Sequence, residues 1–388
     1  MQPPPTIPDT TQPPPDTSLR TYDADDPNIQ YTGRIDSSNP KLVKFSVNGT
    51  SITARFKGTA VSVTVKDEFR YAKYRNFYDA IVDGQVVAKV APDPSGDTGP
   101  TYPIEAGLPY GEHVVTLVRR TEPTVGIGFF AGFQIAGEIL PPSDPPARRI
   151  EIIGDSITAG AGVDAPNGDP ACTAPPDGWG LPVEDAYKSY GEALARSFGA
   201  EAHVLGISGV GLVRDYSSNP RDDLRTMPEV YDLMYPQLPV SAVNPTSWDG
   251  AHTKFVPDAI VIGLGTNDFS PGDAPADSPR PMMDTATFVS AYVAFVTTLR
   301  GYYPNAQFFL ISSPLLSDGW PTAAYRSASD LKDSLAAVEA QFAAAGDAKV
   351  HKAYVSYVFS AGCGHPDATQ QAGTAAELEP FIKTTMGW

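Results

Sequence analysis

Hydrophobic and polar residues alternate with a period of two along the first third of the chain. Short runs of this kind recur between residues 21 and 140, with turn residues between them and no helical period. Asp83-Gly84 separates two of the runs, and this dipeptide favours a tight hairpin. The spacing predicts an all-β domain of the sandwich or jelly-roll type over 19–140. The runs expected to be strands are 41–47, 51–56, 60–65, 77–82, 85–90 and 113–119.

The pattern changes after a proline-rich segment, which indicates an interdomain linker over 141–147. Beyond it, short apolar segments alternate with segments of helical length, an order typical of a parallel sheet covered by helices on both faces. We therefore predict a three-layer α/β/α domain over 148–388. Its expected strands are 149–153, 202–205, 259–262, 307–311 and 350–355, and its expected helices are 186–198, 286–299, 331–345 and 374–386.

The N-terminal residues and the overall charge limit location and partners. Residues 1–18 consist mainly of proline and small polar residues, which bury too little apolar surface to become ordered, so we expect a disordered tail. No signal-peptide pattern precedes them, and no apolar run reaches membrane-spanning length. The net charge of −17 argues against a nucleic-acid or anionic-membrane partner, because phosphates would be repelled. The missing signal-peptide pattern fits either a cytosolic protein or a chain whose signal has been removed. We expect the second, which implies a secreted or cell-surface location.

The end of the first predicted strand of the second domain carries a candidate nucleophile. Ligand sites in such sheets lie beyond the carboxyl ends of the strands. Strand 149–153 runs directly into the sequence GDSITAG, which contains Ser156. A following helical turn would favour negative charge developing there, and the N–H of Ser156 could stabilise an oxyanion. A simple turn or a helix cap is the alternative explanation.

The next two strand ends carry candidate hydrogen-bond donors. The second strand runs into GISGVG, whose glycines allow a backbone N–H to approach a ligand closely. Ser208 in this segment ranks below the first serine, because Val210 replaces the second glycine of a nucleophile elbow. The third strand runs into GLGTNDF, where the amide of Asn267 could donate to an oxyanion. Ordinary turns are the alternative for both segments.

A serine nucleophile at neutral pH requires a histidine as its base. The chain has five histidines, and their places in the predicted topology select one of them. His113 lies in the β domain, and His203 lies in or beside a strand. His252 and His351 lie at the wrong ends of their strands. His365 follows the fifth strand, so we predict that it is the base.

Together, the four strand ends resemble the sequence blocks of the SGNH (GDSL-type) hydrolases, named for a serine, a glycine, an asparagine and a histidine. The resemblance implies that Ser156 is the nucleophile, Gly209 the backbone oxyanion donor, Asn267 the side-chain donor and His365 the base. The likeness is closer still to the second family of carbohydrate esterases, which carry a jelly-roll domain before the hydrolase domain. That resemblance implies deacetylation of polysaccharides such as xylan or glucomannan.

The chain departs from the family pattern around the histidine. Most SGNH enzymes have an aspartate three residues before it, whereas this chain has Gly362. In the carbohydrate-esterase subgroup an aspartate lies two residues before, and here that position is Cys363. We therefore predict a Ser-His dyad, in which His365 is oriented by a backbone carbonyl or by another residue.

Two cysteines lie in loops expected at one edge of the sheet. Cys172 follows the first block and Cys363 lies two residues before the histidine. We expect a disulfide between them that braces the histidine loop, and two free thiols are the alternative.

Substrate contacts are harder to assign from the sequence. Trp179, Trp248 and Trp320 lie in predicted loops of the second domain, where their rings could stack on sugars or simply pack within the protein. The sequence contains no HExxH pattern, so we expect neither a metal nor another cofactor. The predicted partner is an acetylated polysaccharide or oligosaccharide. Two other functions stay open: a carbohydrate-binding protein with a weak or inactive hydrolase domain, and a lipase or thioesterase of the same fold.

Overall fold

The computed structural model describes residues 17–173, 181–217, 226–236, 247–275 and 277–388. Over these ranges, an antiparallel sheet occupies the N-terminal part of the chain and a parallel sheet the C-terminal part. The strands are β1 (Leu19–Asp23), β2 (Ile29–Thr32), β3 (Ile35–Asp36), β4 (Val43–Phe45), β5 (Ser51–Asp67), β6 (Tyr78–Val82), β7 (Gln85–Val90), β8 (Thr101–Arg119), β9 (Gly128–Leu140), β10 (Arg148–Gly154), β11 (Ala200–Gly206), β12 (Ala259–Gly263), β13 (Gln307–Ile311) and β14 (Val350–Ala353). The α-helices are α1 (Ser156–Ala159), α2 (Tyr190–Phe198), α3 (Met227–Val230), α4 (Thr266–Phe269), α5 (Thr285–Tyr302), α6 (Ser327–Ala344) and α7 (Ala368–Met386).

The antiparallel sheet is built around three long strands. Its order is β3-β4-β9-β5-β8-β6-β7, with β1 paired to β9 and β2 paired to β5. Side chains from one face of these strands form a single apolar core, which includes Phe56, Val63, Leu117 and Phe130. The all-β domain predicted from the alternating pattern is therefore confirmed.

A bulge joins two segments that the pattern treats as separate strands. Residues 51–56 and 60–65 both belong to β5, and the register to β8 and β9 shifts just after Gly58. Even-numbered side chains are buried before the shift, and odd-numbered ones after it. The extra residue of a bulge changes the phase in this way and keeps the apolar face inward. Glycine is required at position 58, because a Cβ there would collide with the carbonyl oxygen of Ala136.

The parallel sheet has the order β11-β10-β12-β13-β14 and is covered on both faces. Helices α5 and α6 pack on one face, and α2 and α7 pack on the other. This arrangement confirms the predicted three-layer domain. After β10 the chain first adds β11 on one side and then β12 on the other, so the switch point of the sheet lies between β10 and β12.

All four predicted helices differ from the structure in their boundaries. Helices α5 and α6 begin at Thr285 and Ser327, before the predicted residues 286 and 331. The segment 186–198 contains a 3₁₀ turn followed by α2, which begins only at Tyr190. Helix α7 begins at Ala368, earlier than predicted, because Asp367 and Gln370 form a capping box there. None of the helices in the described ranges has both the length and the apolar character needed to cross a membrane.

Candidate active site

Strand β10 carries Ser156 to the switch point of the sheet. The strand ends at Gly154, and α1 begins with Ser156, whose side chain is 7% exposed. Asp155 caps α1, because its Oδ1 accepts a hydrogen bond from the N–H of Ile157 at 3.0 Å. Glycine is required at position 154, since a Cβ there would collide with Oγ1 of Thr158. The turn after β10 therefore fixes the position of the predicted nucleophile.

The structure brings Ser156 and His365 together. Nε2 of His365 lies 2.9 Å from Oγ of Ser156, although 209 residues separate them in the chain. Nδ1 of the same ring lies 3.3 Å from the carbonyl oxygen of Cys363. A carbonyl oxygen only accepts hydrogen bonds, so Nδ1 carries the proton and the lone pair of the neutral ring is on Nε2. This tautomer is the one that a general base facing a serine hydroxyl requires.

The environment of His365 favours its neutral form. Burial lowers the pKa of the imidazole below its ordinary value of 6.5, and the hydrogen bond to the Cys363 carbonyl opposes this shift. Burial has this direction because it penalises the charged imidazolium. A neutral ring is thus available to accept a proton near pH 7.

Asn167 ties the loop after the nucleophile to the histidine loop. Its backbone N–H donates to the carbonyl of Ala361 at 2.9 Å, and its Nδ2 donates to the carbonyl of Ser360 at 2.5 Å. Its Oδ1 accepts from the N–H of Gly364 at 2.6 Å. Three hydrogen bonds from one residue hold the segment that precedes His365. Asn167 could not be singled out from the sequence, because an asparagine in a loop ordinarily indicates only a turn.

A disulfide joins the same two loops. Cys172 and Cys363 are bonded, and their Cα atoms lie 5.3 Å apart. Cys363 has a positive φ of 51°, and Gly364 follows with a φ of 81°. The loop thus turns sharply just before His365 while it is covalently attached to the loop after α1.

Gly209 and Asn267 lie on loops that are hydrogen-bonded to each other. Nδ2 of Asn267 donates to the carbonyl of Val210 at 2.8 Å, and the side chain of Asn267 is almost fully buried. An amide nitrogen carries two protons, so a second donor stays on the same atom. Arg280 donates a hydrogen bond to the backbone carbonyl of Asn267 and thereby anchors α4. Gly209 has a φ of 78°, which glycine adopts without strain.

Asp268 organises the loop that follows Gly209. Its carboxylate accepts backbone N–H hydrogen bonds from Leu212 at 2.9 Å, Val213 at 2.7 Å and Arg214 at 3.0 Å. Arg214 returns a hydrogen bond from Nε to the carbonyl of Asp268 at 2.8 Å. Asp268 belongs to the GLGTNDF segment, in which only Asn267 was predicted to have a role. Its position beside Asn267 at a strand end was the available signal.

Two buried carboxyl groups, those of Asp155 and Asp268, adjoin Ser156 and Asn267 in the sequence. Burial raises the pKa of Asp155 to about 7, and the neighbouring charge of Asp268 acts in the same direction. Burial also raises the pKa of Asp268, while its three backbone hydrogen bonds oppose the shift.

Within the described ranges, no group of three or more histidine, cysteine or carboxylate side chains is arranged to hold a metal ion.

The prediction that tryptophans contact the substrate has a different outcome at each of the three positions. Trp179 lies outside the described residues. Trp248 is buried at the domain interface, where its ring lies 5.3 Å from the guanidinium of Arg34 and 5.4 Å from the ring of His203. Of the two alternatives for Trp248, the structure therefore supports packing within the protein and not a substrate contact, because protein groups already surround its ring. Trp320 is 58% exposed in the loop after β13, on the edge of the sheet that carries Ser156.

The sheet topology and the arrangement of these residues define a class of protein, the GDSL-like hydrolases. A model of the GDSL-like lipase/acylhydrolase family matches residues 152–375, and a model of the carbohydrate esterase 2 N-terminal domain matches residues 31–143. The chain belongs to the GDSL-like lipase/acylhydrolase family and, within it, to the family 2 carbohydrate esterases, which are carboxylic ester hydrolases.

Three relatives illustrate this membership. The cellulase/esterase CelE of Acetivibrio thermocellus is 33% identical over 377 residues, which make up 95% of this chain but only 41% of that protein. An acetylxylan esterase / glucomannan deacetylase of Cellvibrio japonicus is 26% identical over 379 residues, 96% of this chain and 93% of that protein. The structure of a family 2 enzyme with a carbohydrate-binding domain from Myceliophthora fergusii has a TM-score of 0.76 at 31% identity and covers 93% of this chain and 100% of that one.

Proposed function

We propose that this chain is a serine esterase that removes O-acetyl groups from a polysaccharide of the xylan or glucomannan type. Ser156 is the nucleophile, and His365 is the general base. The backbone N–H groups of Ser156 and Gly209 and the amide of Asn267 form the oxyanion hole. Family membership and the names of the relatives support the carbohydrate substrate.

In the first half of the reaction, Oγ of Ser156 attacks the acetyl carbonyl carbon while its proton moves to Nε2 of His365. The carbonyl oxygen becomes an oxyanion, which the three donors stabilise as charge develops. When the tetrahedral intermediate collapses, the bond to the sugar oxygen breaks and His365 returns the proton to that oxygen. The products are the free sugar hydroxyl and an acetyl group on Ser156.

In the second half, water attacks the acetyl-enzyme and gives its proton to Nε2 of His365. Collapse of the second tetrahedral intermediate returns the proton from His365 to Oγ of Ser156 and releases acetic acid, which loses its own proton to solvent and becomes acetate. No orienting carboxylate is needed in this scheme, because the Cys363 carbonyl keeps the proton on Nδ1. Orientation and tautomer are the two tasks that the aspartate of a triad performs, apart from stabilising the imidazolium.

One observation carries the proposal: the 2.9 Å contact between Nε2 of His365 and Oγ of Ser156. This distance lies within the range that proton transfer requires. It joins the ends of two different strands, β10 and β14, at the edge of the sheet where ligands bind.

The proposal is tested by comparing 4-nitrophenyl acetate with 4-nitrophenyl butyrate and octanoate, and by measuring acetate release from acetylated xylan and glucomannan. We expect hydrolysis that favours acetyl esters and is abolished by Ser156→Ala. Ser197→Ala is the matched control, because Ser197 is exposed and, in the described part of the chain, its hydroxyl bonds within α2, to the carbonyl of Leu194. An inactive wild-type protein, or an active Ser156→Ala variant, would exclude the mechanism.

The same experiment separates the other functions. A preference for octanoate would favour a lipase or thioesterase, and glycan binding without hydrolysis would favour a binding protein. We also propose that the protein acts outside the cytoplasm, where acetylated plant polysaccharide is encountered and a disulfide persists. Export of the full-length gene product into the medium tests that location.

A further inference from the structure

The N-terminal domain places a carboxyl group against the loop that carries Gly209. Glu122 lies between β8 and β9, is 5% exposed, and accepts a hydrogen bond at Oε2 from the N–H of Ser208 at 2.6 Å. The hydroxyl of Thr124 donates to its other carboxyl oxygen. The N–H of Glu122 donates to the carboxyl of Glu184 in the hydrolase domain. A side chain of the β domain is thereby fixed beside the residue that precedes Gly209.

The rest of this loop is also held by hydrogen bonds. The N–H of Ile207 donates to the carbonyl of Gly154 at 3.1 Å, and the N–H of Val210 donates to the carbonyl of Ile207 at 3.3 Å. The carbonyl of Gly209 accepts from the N–H of Tyr216 at 2.9 Å. With Ser208 bonded to Glu122, the N–H of Gly209 is the one amide of residues 207–210 that donates to no group in the described part of the chain.

We propose that Glu122 is a positioning residue for the oxyanion hole: it fixes the N–H of Ser208 and thereby directs the neighbouring N–H of Gly209 toward the reacting carbonyl. The inference rests on the proposed function, because it assumes that Gly209 is an oxyanion donor. Oxyanion donors are effective only when they are oriented before the charge develops. The N-terminal domain then contributes to catalysis through a residue that does not touch the substrate.

This role requires a hydrogen-bond acceptor at position 122 and not a negative charge. A full charge so close to the oxyanion would oppose catalysis by Coulomb repulsion. Burial raises the pKa of Glu122, while hydrogen bonds from Thr124 and Ser208 oppose the shift. The pKa of Glu184 is also raised well above its ordinary value, because Glu184 is buried and faces Glu122. An amide oxygen at position 122 should therefore serve as well as a carboxyl oxygen.

Two variants of similar size separate the acceptor from the charge. Glu122→Gln keeps an acceptor for Ser208, and Glu122→Met is equally neutral but has none. The assays are kcat and KM for 4-nitrophenyl acetate, and inhibition by methylboronic acid. The boron atom of this inhibitor bonds to a serine Oγ and becomes a tetrahedral anion that occupies the oxyanion hole.

We expect Glu122→Met to lower kcat about tenfold or more with little change in KM, which is less than the ~100-fold or larger loss on removing an oxyanion donor outright. Inhibition by methylboronic acid should weaken by a similar factor. Glu122→Gln should stay within about threefold of the wild type in both assays, since its acceptor preserves transition-state binding. If Glu122→Met does not fold, Glu122→Ala replaces it.

Glu151→Met is the matched control for a loosened domain interface. Glu151 is also buried and accepts a hydrogen bond from the hydroxyl of Tyr231 at 2.8 Å, with Arg34 of the β domain 3.9 Å away, but in the described part of the chain it shares no hydrogen bond with residues 207–210. An equal loss of kcat in Glu151→Met and Glu122→Met, or a loss in Glu122→Gln as large as in Glu122→Met, would overturn the inference. So would a folded Glu122→Met with wild-type kcat. A wild-type protein with no serine-dependent activity would instead refute the proposed function.

Discussion

The carbonyl oxygen of Cys363 accepts a hydrogen bond from Nδ1 of His365 at 3.3 Å, one residue after the position that most SGNH hydrolases give to aspartate. That position is Gly362, and a Cβ there would lie 2.5 Å from the carbonyl oxygen of Gly162. The close packing of two backbone segments thus excludes any side chain where the usual orienting carboxylate begins. The backbone carbonyl supplies an acceptor in its place.

Restoring the family residue should therefore fail. We expect Gly362→Asp to lower the unfolding free energy by about 1–3 kcal/mol, the usual cost of overpacking, without raising kcat. Thermal unfolding and hydrolysis of 4-nitrophenyl acetate measure the two effects. Gly364→Asn is the control, because a Cβ there meets open space and asparagine tolerates the left-handed conformation. A stable Gly362→Asp enzyme with higher kcat would contradict this explanation.

Removing the disulfide should weaken both stability and turnover. The Cys172–Cys363 bond closes a loop of 191 residues, and loss of such a cross-link typically costs ~2–5 kcal/mol. The double variant Cys172→Ser/Cys363→Ser should also have a lower kcat, because the histidine loop then loses its covalent link to the loop after α1 and keeps the hydrogen bonds of Asn167. Denaturant unfolding and steady-state kinetics test this, and thiol titration of the denatured, unreduced wild type should find no free thiols. Two titratable thiols, or an unchanged kcat in the double variant, would contradict the prediction that the disulfide supports the histidine loop.

Asn267→Ala should reduce turnover far more than stability. Loss of one oxyanion donor typically raises the barrier by ~2.7–4 kcal/mol, a decrease of ~100-fold to 1000-fold in kcat. Among the described residues, the Val210 carbonyl loses its hydrogen bond from the Asn267 side chain, at a typical cost of ~1–3 kcal/mol in folding free energy. Steady-state kinetics below the unfolding temperature measure kcat, with Asn305→Ala as a control at an exposed position. Turnover within a few-fold of the wild type would remove Asn267 from the oxyanion hole.

The pH dependence of kcat/KM should report a depressed histidine pKa. The base acts as the neutral imidazole, so activity rises with pH as His365 loses its proton and levels off above its pKa. Because burial lowers that pKa, the midpoint of the acid limb should lie below 6.5. Enzyme incubated at the lowest pH and assayed at pH 7.5 checks that the protein stays folded. A midpoint above 7 would instead indicate a carboxylate beside His365, since a nearby negative charge favours the imidazolium.

The fold class and the four proposed catalytic residues were predicted from the amino-acid sequence, with Gly209 assigned through the resemblance to the SGNH hydrolases. Period-two alternation and alternating strands and helices are local properties of the chain, and both domains follow from them. One general rule, that parallel sheets bind ligands at the carboxyl ends of their strands, then brings Ser156, Gly209, Asn267 and His365 to the same edge. No knowledge of side-chain packing was needed for that step.

Only the tertiary structure decided which groups support these residues. Glu122, Asn167 and Asp268 make contacts with loops that are distant in sequence, and no periodicity or turn motif encodes such pairs. The burial of Trp248 against Arg34 could not be predicted either, because this contact also joins distant parts of the chain. The continuity of β5 through its bulge depended on how closely Gly58 approaches Ala136 on another strand. Local patterns predict the type and approximate extent of each element, whereas these contacts depend on how the folded surfaces meet.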